Sequence, residues 1–272
     1  MIKLQAFGDP TLRASDGAPI EGLTRQTKRF ALLVYLACSE ERASYRRDEL
    51  IATFWPESTK RSGLNSLRQT LFVIRRELGS DIITGTGTQD VSVNWSRLSS
   101  DVDAFYRALA RGELETALSL YKDDFLAGFH VSGTTDFGFW AEEQRARLKD
   151  LAGRAAKNLA RRAEAERSVA DAVYWWRKAF ALSPYDETTL CRIVSLLATS
   201  GNRGAALAEF DRYRRRADRE LGVEPSPLTT ELVRRIVDGR LSGTPEWLGD
   251  RRKADRVGSW SGSRRATDRA AF

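Results

Sequence analysis

Between Pro56 and Gly79 the chain carries a run whose apolar residues, Leu64, Leu67, Leu71, Ile74 and Leu78, recur at spacings of 3, 4, 3 and 4. That is the repeat of a helix with one buried stripe. At about 100° per residue the opposite face holds Ser62, Asn65, Gln69, Phe72 and Arg76, flanked by Arg61 and Arg68. Pro56 must end any helix before it, because its ring and missing N–H cannot continue the ladder. A chain built around such a rod has to cover one edge and leave an amide- and guanidinium-bearing edge for something else.

The flanking segments say what covers the greasy edge. Ile2 to Phe7 alternates, Gly8-Asp9-Pro10 turns, Thr11 to Ala14 resumes, and Asp16-Gly17 is a hairpin signal, so the chain opens on a small antiparallel sheet. From Thr27 the sequence becomes helical, and Phe30 to Cys38 is apolar throughout, which predicts a central helix buried almost all round. Ser44 is an N-cap for a second helix through Leu50, Ile51 and Phe54. The third begins near Ser58 or Thr59 and contains Gly63, which costs about 1 kcal/mol relative to Ala inside a helix and so reads as permitting a close backbone approach. Asp81 to Thr84 and Val91 to Trp95 are strands around the glycine-rich tip Gly85-Thr-Gly87-Thr-Gln89. Sheet, three helices and hairpin in that order describe a winged helix-turn-helix over residues 1–98.

From Asp101 onward helical periodicity dominates. Ala117-Leu118-x-x-Tyr121, Ala172-Val173-x-x-Trp176 and Ala206-Leu207-x-x-Phe210 place a small, an apolar and an aromatic residue on one helix face. The last two copies lie 34 residues apart, the period of a tetratricopeptide helix pair. Residues 99–238 are therefore expected to be an all-α, tetratricopeptide-like domain. Residues 239–272, with Arg251-Arg-Lys253, Arg264-Arg265 and the isolated Trp247 and Trp260, do not have the composition of a core and read as a basic, disordered tail. The expected fold class is mainly α with a small β part.

The net charge of +7 is unevenly spread: residues 1–100 carry +3, residues 101–238 carry none and residues 239–272 carry +4. Thr59 to Leu78 alone holds Lys60, Arg61, Arg68, Arg75 and Arg76 against Glu77, a candidate phosphate-binding stripe whose bland alternative is a solvated helix face. A single histidine, His130, and two distant cysteines, Cys38 and Cys191, cannot build a zinc site or an ordinary histidine-assisted nucleophile, and no phosphate-binding glycine loop is present. No enzyme, metal or cofactor is expected. The longest apolar run, Phe30 to Cys38, is less than half of a membrane span, so no membrane is expected as a partner and the location expected is cytoplasmic.

Arg68-Gln-Thr-Leu71 with Ile74-Arg-Arg-Glu-Leu-Gly79, preceded by Phe54-Trp-Pro56, resembles the OmpR-like winged helix of the antibiotic-regulatory-protein class of bacterial activators. Asp101-Val-Asp-x-Phe105, Phe125-Leu-Ala-Gly-Phe129, Phe139-Trp140 with Arg145 and Leu148, and Leu221-Gly-Val-Glu-Pro-Ser-Pro227 resemble the bacterial transcriptional activator domain that follows it in these regulators. The resemblance implies that Asn65, Arg68, Gln69 and Phe72 enter the major groove of promoter DNA. Amides can pair with adenine edges, Arg with guanine and an aromatic with the thymine methyl. Lys28, Arg29, Lys60, Arg61, Ser62, Arg76, Thr86, Thr88 and Gln89 are assigned to the DNA backbone, and Arg75 to backbone contact or a salt bridge. It also implies direct-repeat sites, a dimer on DNA and contact with the sigma-containing RNA polymerase holoenzyme. The alternative is a helical-repeat adaptor whose winged domain never meets DNA. In that case Phe72 and its neighbours would be covered by residues 101–180.

Overall fold

The computed structural model describes residues 1–39, 42–85 and 89–241. The described residues are mainly helical with a small β part and form two compact units, which divide between Leu182 and Ser183. Among the described residues no helix is long and apolar enough to cross a membrane. The tail expected from residue 239 lies almost wholly outside the described residues.

The first unit opens with β1 (Ile2–Gln5) and β2 (Thr11–Arg13), paired antiparallel with Leu4 opposite Leu12. The sheet is mixed, however, because β6 (Leu98–Ser100) joins β1 in parallel, Ile2 beside Leu98. A strand pair separated by more than ninety residues leaves no local pattern to read. Between them come a short α1 (Glu21–Thr24) and α2 (Thr27–Ala37), whose Phe30 to Val34 are buried as its composition demands. Ser44 caps no helix. Tyr45–Arg46 instead form a two-residue strand, β3, and α3 (Arg47–Phe54) starts only after it. Next come α4 (Lys60–Leu78), β4 (Ile83–Thr84) and β5 (Asp90–Val93), with β5 central in a second sheet of order β3-β5-β4. These are the parts of a winged helix.

β6 runs directly into α5 (Asp101–Ala110), and the Asp101 carboxylate accepts from the backbone N–H groups of Ala6, at 2.9 Å, and Phe7, at 3.0 Å. After α6 (Leu114–Leu120) the chain returns to β1, where Leu126 N–H donates to Ala6 O at 2.8 Å and Gly8 N–H to Asp124 O at 3.1 Å. Leu126 is fully buried with φ +51°, a conformation that costs a non-glycine residue about 1–3 kcal/mol and needs its surroundings to enforce it. Arg145 on α7 (Thr135–Ala165) does so, donating to Phe125 O at 2.8 Å and Leu126 O at 3.2 Å. Aromatic pairs complete the seam: Phe7 with Phe105 and Tyr121, Tyr35 with Trp140, Phe54 with Phe137. α8 (Val169–Leu182) packs along α7 with Ala172 and Trp176 buried.

The second unit contains α9 (Glu187–Thr199), α10 (Arg203–Leu221) and α11 (Pro227–Val237). Ala206 and Phe210 of the recurring motif are buried here. α10 ends at Gly222, φ +65°, in the left-handed conformation glycine adopts cheaply. The following Ser226 brings its N–H and hydroxyl to the Glu187 carboxylate, which also takes hydrogen bonds from Thr229 and Tyr213. Burial alone would raise the Glu187 carboxyl; these hydrogen bonds outweigh it and hold the group below the usual carboxylate range.

Candidate nucleic-acid interface

Helix α4 starts at Thr59, whose hydroxyl accepts from Ser62 N–H at 3.3 Å, and stops at Gly79, whose φ of +111° a side chain would resist. Leu67, Leu71 and Ile74 are buried, Leu64 and Leu78 half-buried, and Thr70 and Val73 widen the covered face. Gly63 belongs to that inner face. A Cβ there would lie 2.5 Å from Ile51 Cγ2, so the glycine serves the close approach of α4 to α3. Its reason is internal packing.

The outer face is bare. Asn65, Arg68, Gln69 and Phe72 are all exposed, Phe72 by 64%, and no part of residues 101–182 covers them. Lys60, Arg61 and Ser62 are exposed at the start of the same helix. Among the described residues no carboxylate pairs with Lys60, Arg61 or Arg68, so these charges are not neutralised. A shallow depression is lined by Arg68, Gln69, Phe72 and Val73 together with Arg29 from α2.

The remaining basic residues differ. Lys28 points into the fold: its ammonium donates to Phe54 O at 3.0 Å and Gly133 O at 3.4 Å and lies 5.9 Å from the centre of the Trp55 ring. Burial lowers its pKa. It ties the end of α3 to the segment before α7, and a contact from Lys28 to the DNA backbone would have to compete with these bonds. Arg75, half-buried, donates to Ile83 O at 3.4 Å, holding the hairpin to α4, and among the described residues it forms no salt bridge. Arg76 is exposed but paired with Glu77 at 2.7 Å. Gln89 is exposed at the foot of the hairpin, whereas Thr86 and Thr88 lie outside the described residues.

Sequence reasoning missed the basic pair Arg46-Arg47. Pairing of β3 with β5 sets Arg46, exposed, opposite Asp90, and Arg47 N–H donates to Gln89 O at 3.0 Å, so both stand beside the hairpin. Two adjacent arginines ahead of an apolar helix were the available signal. Among the described residues no cluster of His, Cys, Asp or Glu is placed to hold a metal. Both cysteines are buried, Cys38 against Ser100 and Cys191 against Thr229, and burial pushes both thiols up, Cys191 to about 11.

With this geometry in place, the profile of the bacterial transcriptional activator domain matches residues 96–237, just over half of the chain. The chain belongs to that family. It is a regulator of transcription of the antibiotic-regulatory-protein type, and the motifs around Asp101, Arg145 and Gly222 are the ones that build its seam and its Glu187 cluster. Among solved structures, EmbR of Mycobacterium tuberculosis, determined in complex with a low-affinity phosphopeptide, is similar in fold, with a TM-score of 0.60 and 19% identity over 91% of this chain and 68% of that one. No curated protein matches in sequence.

Proposed function

We propose that the protein is a sequence-specific activator that docks α4 in the major groove of promoter DNA. Residues 1–98 read the DNA and residues 99–238 hold a second protomer on direct repeats and touch the polymerase holoenzyme. Asn65, Arg68, Gln69 and Phe72 meet base edges. Lys60, Arg61, Ser62 and Arg29 meet phosphates, with Arg76 joining them when Glu77 releases it, and the hairpin with Gln89 and Arg46 meets the flanking backbone. The observation that carries this reading is the bare outer face of α4, where an aromatic stands among amides and unpaired guanidinium groups. An exposed Phe is unusual company for amides and guanidinium groups on a merely solvated helix, and a face covered by residues 101–180 would have favoured the adaptor reading instead.

The test is selection of bound duplexes from a random pool with the full chain, followed by anisotropy titrations at several salt concentrations. A recurring short motif in direct repeats is expected, with log affinity falling against log salt by about 0.9 per phosphate contacted. Salt-insensitive binding, or no enriched motif, would refute the proposal.

A further inference from the structure

Arg29 is far from α4 in sequence yet forms one wall of the depression lined by Arg68, Gln69 and Phe72. Its guanidinium is held there. Gln26, the residue just before α2, accepts through Oε1 from Arg29 Nη1, while its Nε2 donates to Gly22 O at 2.7 Å. A carboxamide has one donor end and one acceptor end. With the donor end committed to α1, only the oxygen is left to face the arginine. α1 is in turn pressed on α4, since a Cβ on Gly22 would lie 2.9 Å from Glu77 Oε2. The orientation of Arg29 is thus referred back to the helix whose face it borders.

We propose that Gln26 is a positioning residue for DNA recognition. It orders the Arg29 guanidinium at the rim of the depression before DNA arrives, so that Arg29 takes one backbone phosphate while Arg68, Gln69 and Phe72 meet the bases beside it. This rests on the DNA-binding reading above. A planar guanidinium binds phosphate through a fixed fork, so its orientation matters as well as its charge. Gln26 itself carries no charge and supplies order alone.

The experiment is a cycle in the full chain on a selected duplex, with the parent, Gln26→Ala, Arg29→Ala and the double variant titrated at several salt concentrations. Arg29→Ala is expected to weaken binding and to reduce the salt slope by about 1. Gln26→Ala is expected to weaken binding about two- to tenfold, the cost of ordering one long side chain at the moment of binding, with the slope retained because Arg29 is still charged. The double variant should bind no more weakly than Arg29→Ala alone. Gln26→Met, equal in length and without either polar end, repeats the measurement if the alanine variant melts below the assay temperature. A Gln26 loss that persists in full in the Arg29→Ala background, or no loss at all, overturns the proposal while leaving DNA binding intact. A parent chain that binds no duplex overturns both.

Discussion

Two groups of basic residues in the first unit look alike in sequence and differ in what surrounds them. On the outer face of α4, Lys60, Arg61 and Arg68 have, among the described residues, no carboxylate partner and no carbonyl to donate to. In the seam, Lys28 and Arg145 spend their donors on the carbonyls of Phe54, Gly133, Phe125 and Leu126. Both groups are positive and both lie near helices. One set stabilises the fold and the other is available to a polyanion, so the charge of a residue says little about its role until its donors are accounted for.

The sharpest way to break that contrast is to attack the seam where no charge is involved. Phe7, 1% exposed, sits 5.4 Å from Phe105 and 4.9 Å from Tyr121, ring centre to ring centre. Phe7→Ala should cost about 3–5 kcal/mol in urea unfolding, and the loss should extend to α5 and α6 as well as to β1. Protection from hydrogen exchange that fell in residues 1–98 alone would mean the two parts fold separately. A smaller effect is expected at Gly63. Alanine gains about 1 kcal/mol of helix propensity but forces Ile51 aside at a cost of about 1–3 kcal/mol, so Gly63→Ala should destabilise and Ile51→Ala in the same chain should relieve part of it. A stabilised Gly63→Ala would show that the glycine is not needed for the α3–α4 approach.

These cases also mark what could be read in advance. The period of α4 was legible because a helix stripe is a local pattern, and so was the all-apolar α2. β6 was not, because its partner is β1 at the other end of the winged helix. β3 is two residues long, too short for alternation to show. The exposed residues of α4 were legible as a face and Arg75 as lying at its edge, yet Lys28 could not be separated from Lys60 and Arg61, since the carbonyls that engage it come from segments distant in the fold. Gly63 was visible as a helix defect, and only the position of Ile51 explains it.

The contrast sharpens further with a matched pair of variants. Lys28→Met should lower stability by about 1–2 kcal/mol through the loss of its bonds to Phe54 and Gly133, with the salt slope of DNA binding unchanged. Arg68→Ala should leave the melting temperature in place and relax discrimination at one base position by about 1–3 kcal/mol. A reduced slope in Lys28→Met, measured by anisotropy, would move Lys28 into the group that meets DNA.

The smallest effect expected concerns the carboxylates that the fold consumes, and here the two units should respond to acid in opposite directions. Burial raises the Asp101 pKa above its ordinary 3.8 even though the backbone N–H groups of Phe7 and Ala6 oppose the shift, so the native first unit binds this proton more readily than the unfolded chain does. Its contribution falls as pH rises through the window above 3.8. Glu187 in the second unit is held below its ordinary 4.5, so its contribution is present above that value and is lost as pH falls below it. Peptide-resolved hydrogen exchange, corrected for intrinsic rates, should therefore show protection around residues 187–229 weakening on acidification from about pH 4.5, with Glu187→Gln flattening the dependence. Asp101→Asn should flatten the opposite trend around residues 1–10. If both regions lost protection together and neither variant changed the profile, the carboxylates would be bystanders, and the view that partners decide a charged residue's role would hold for the cations alone.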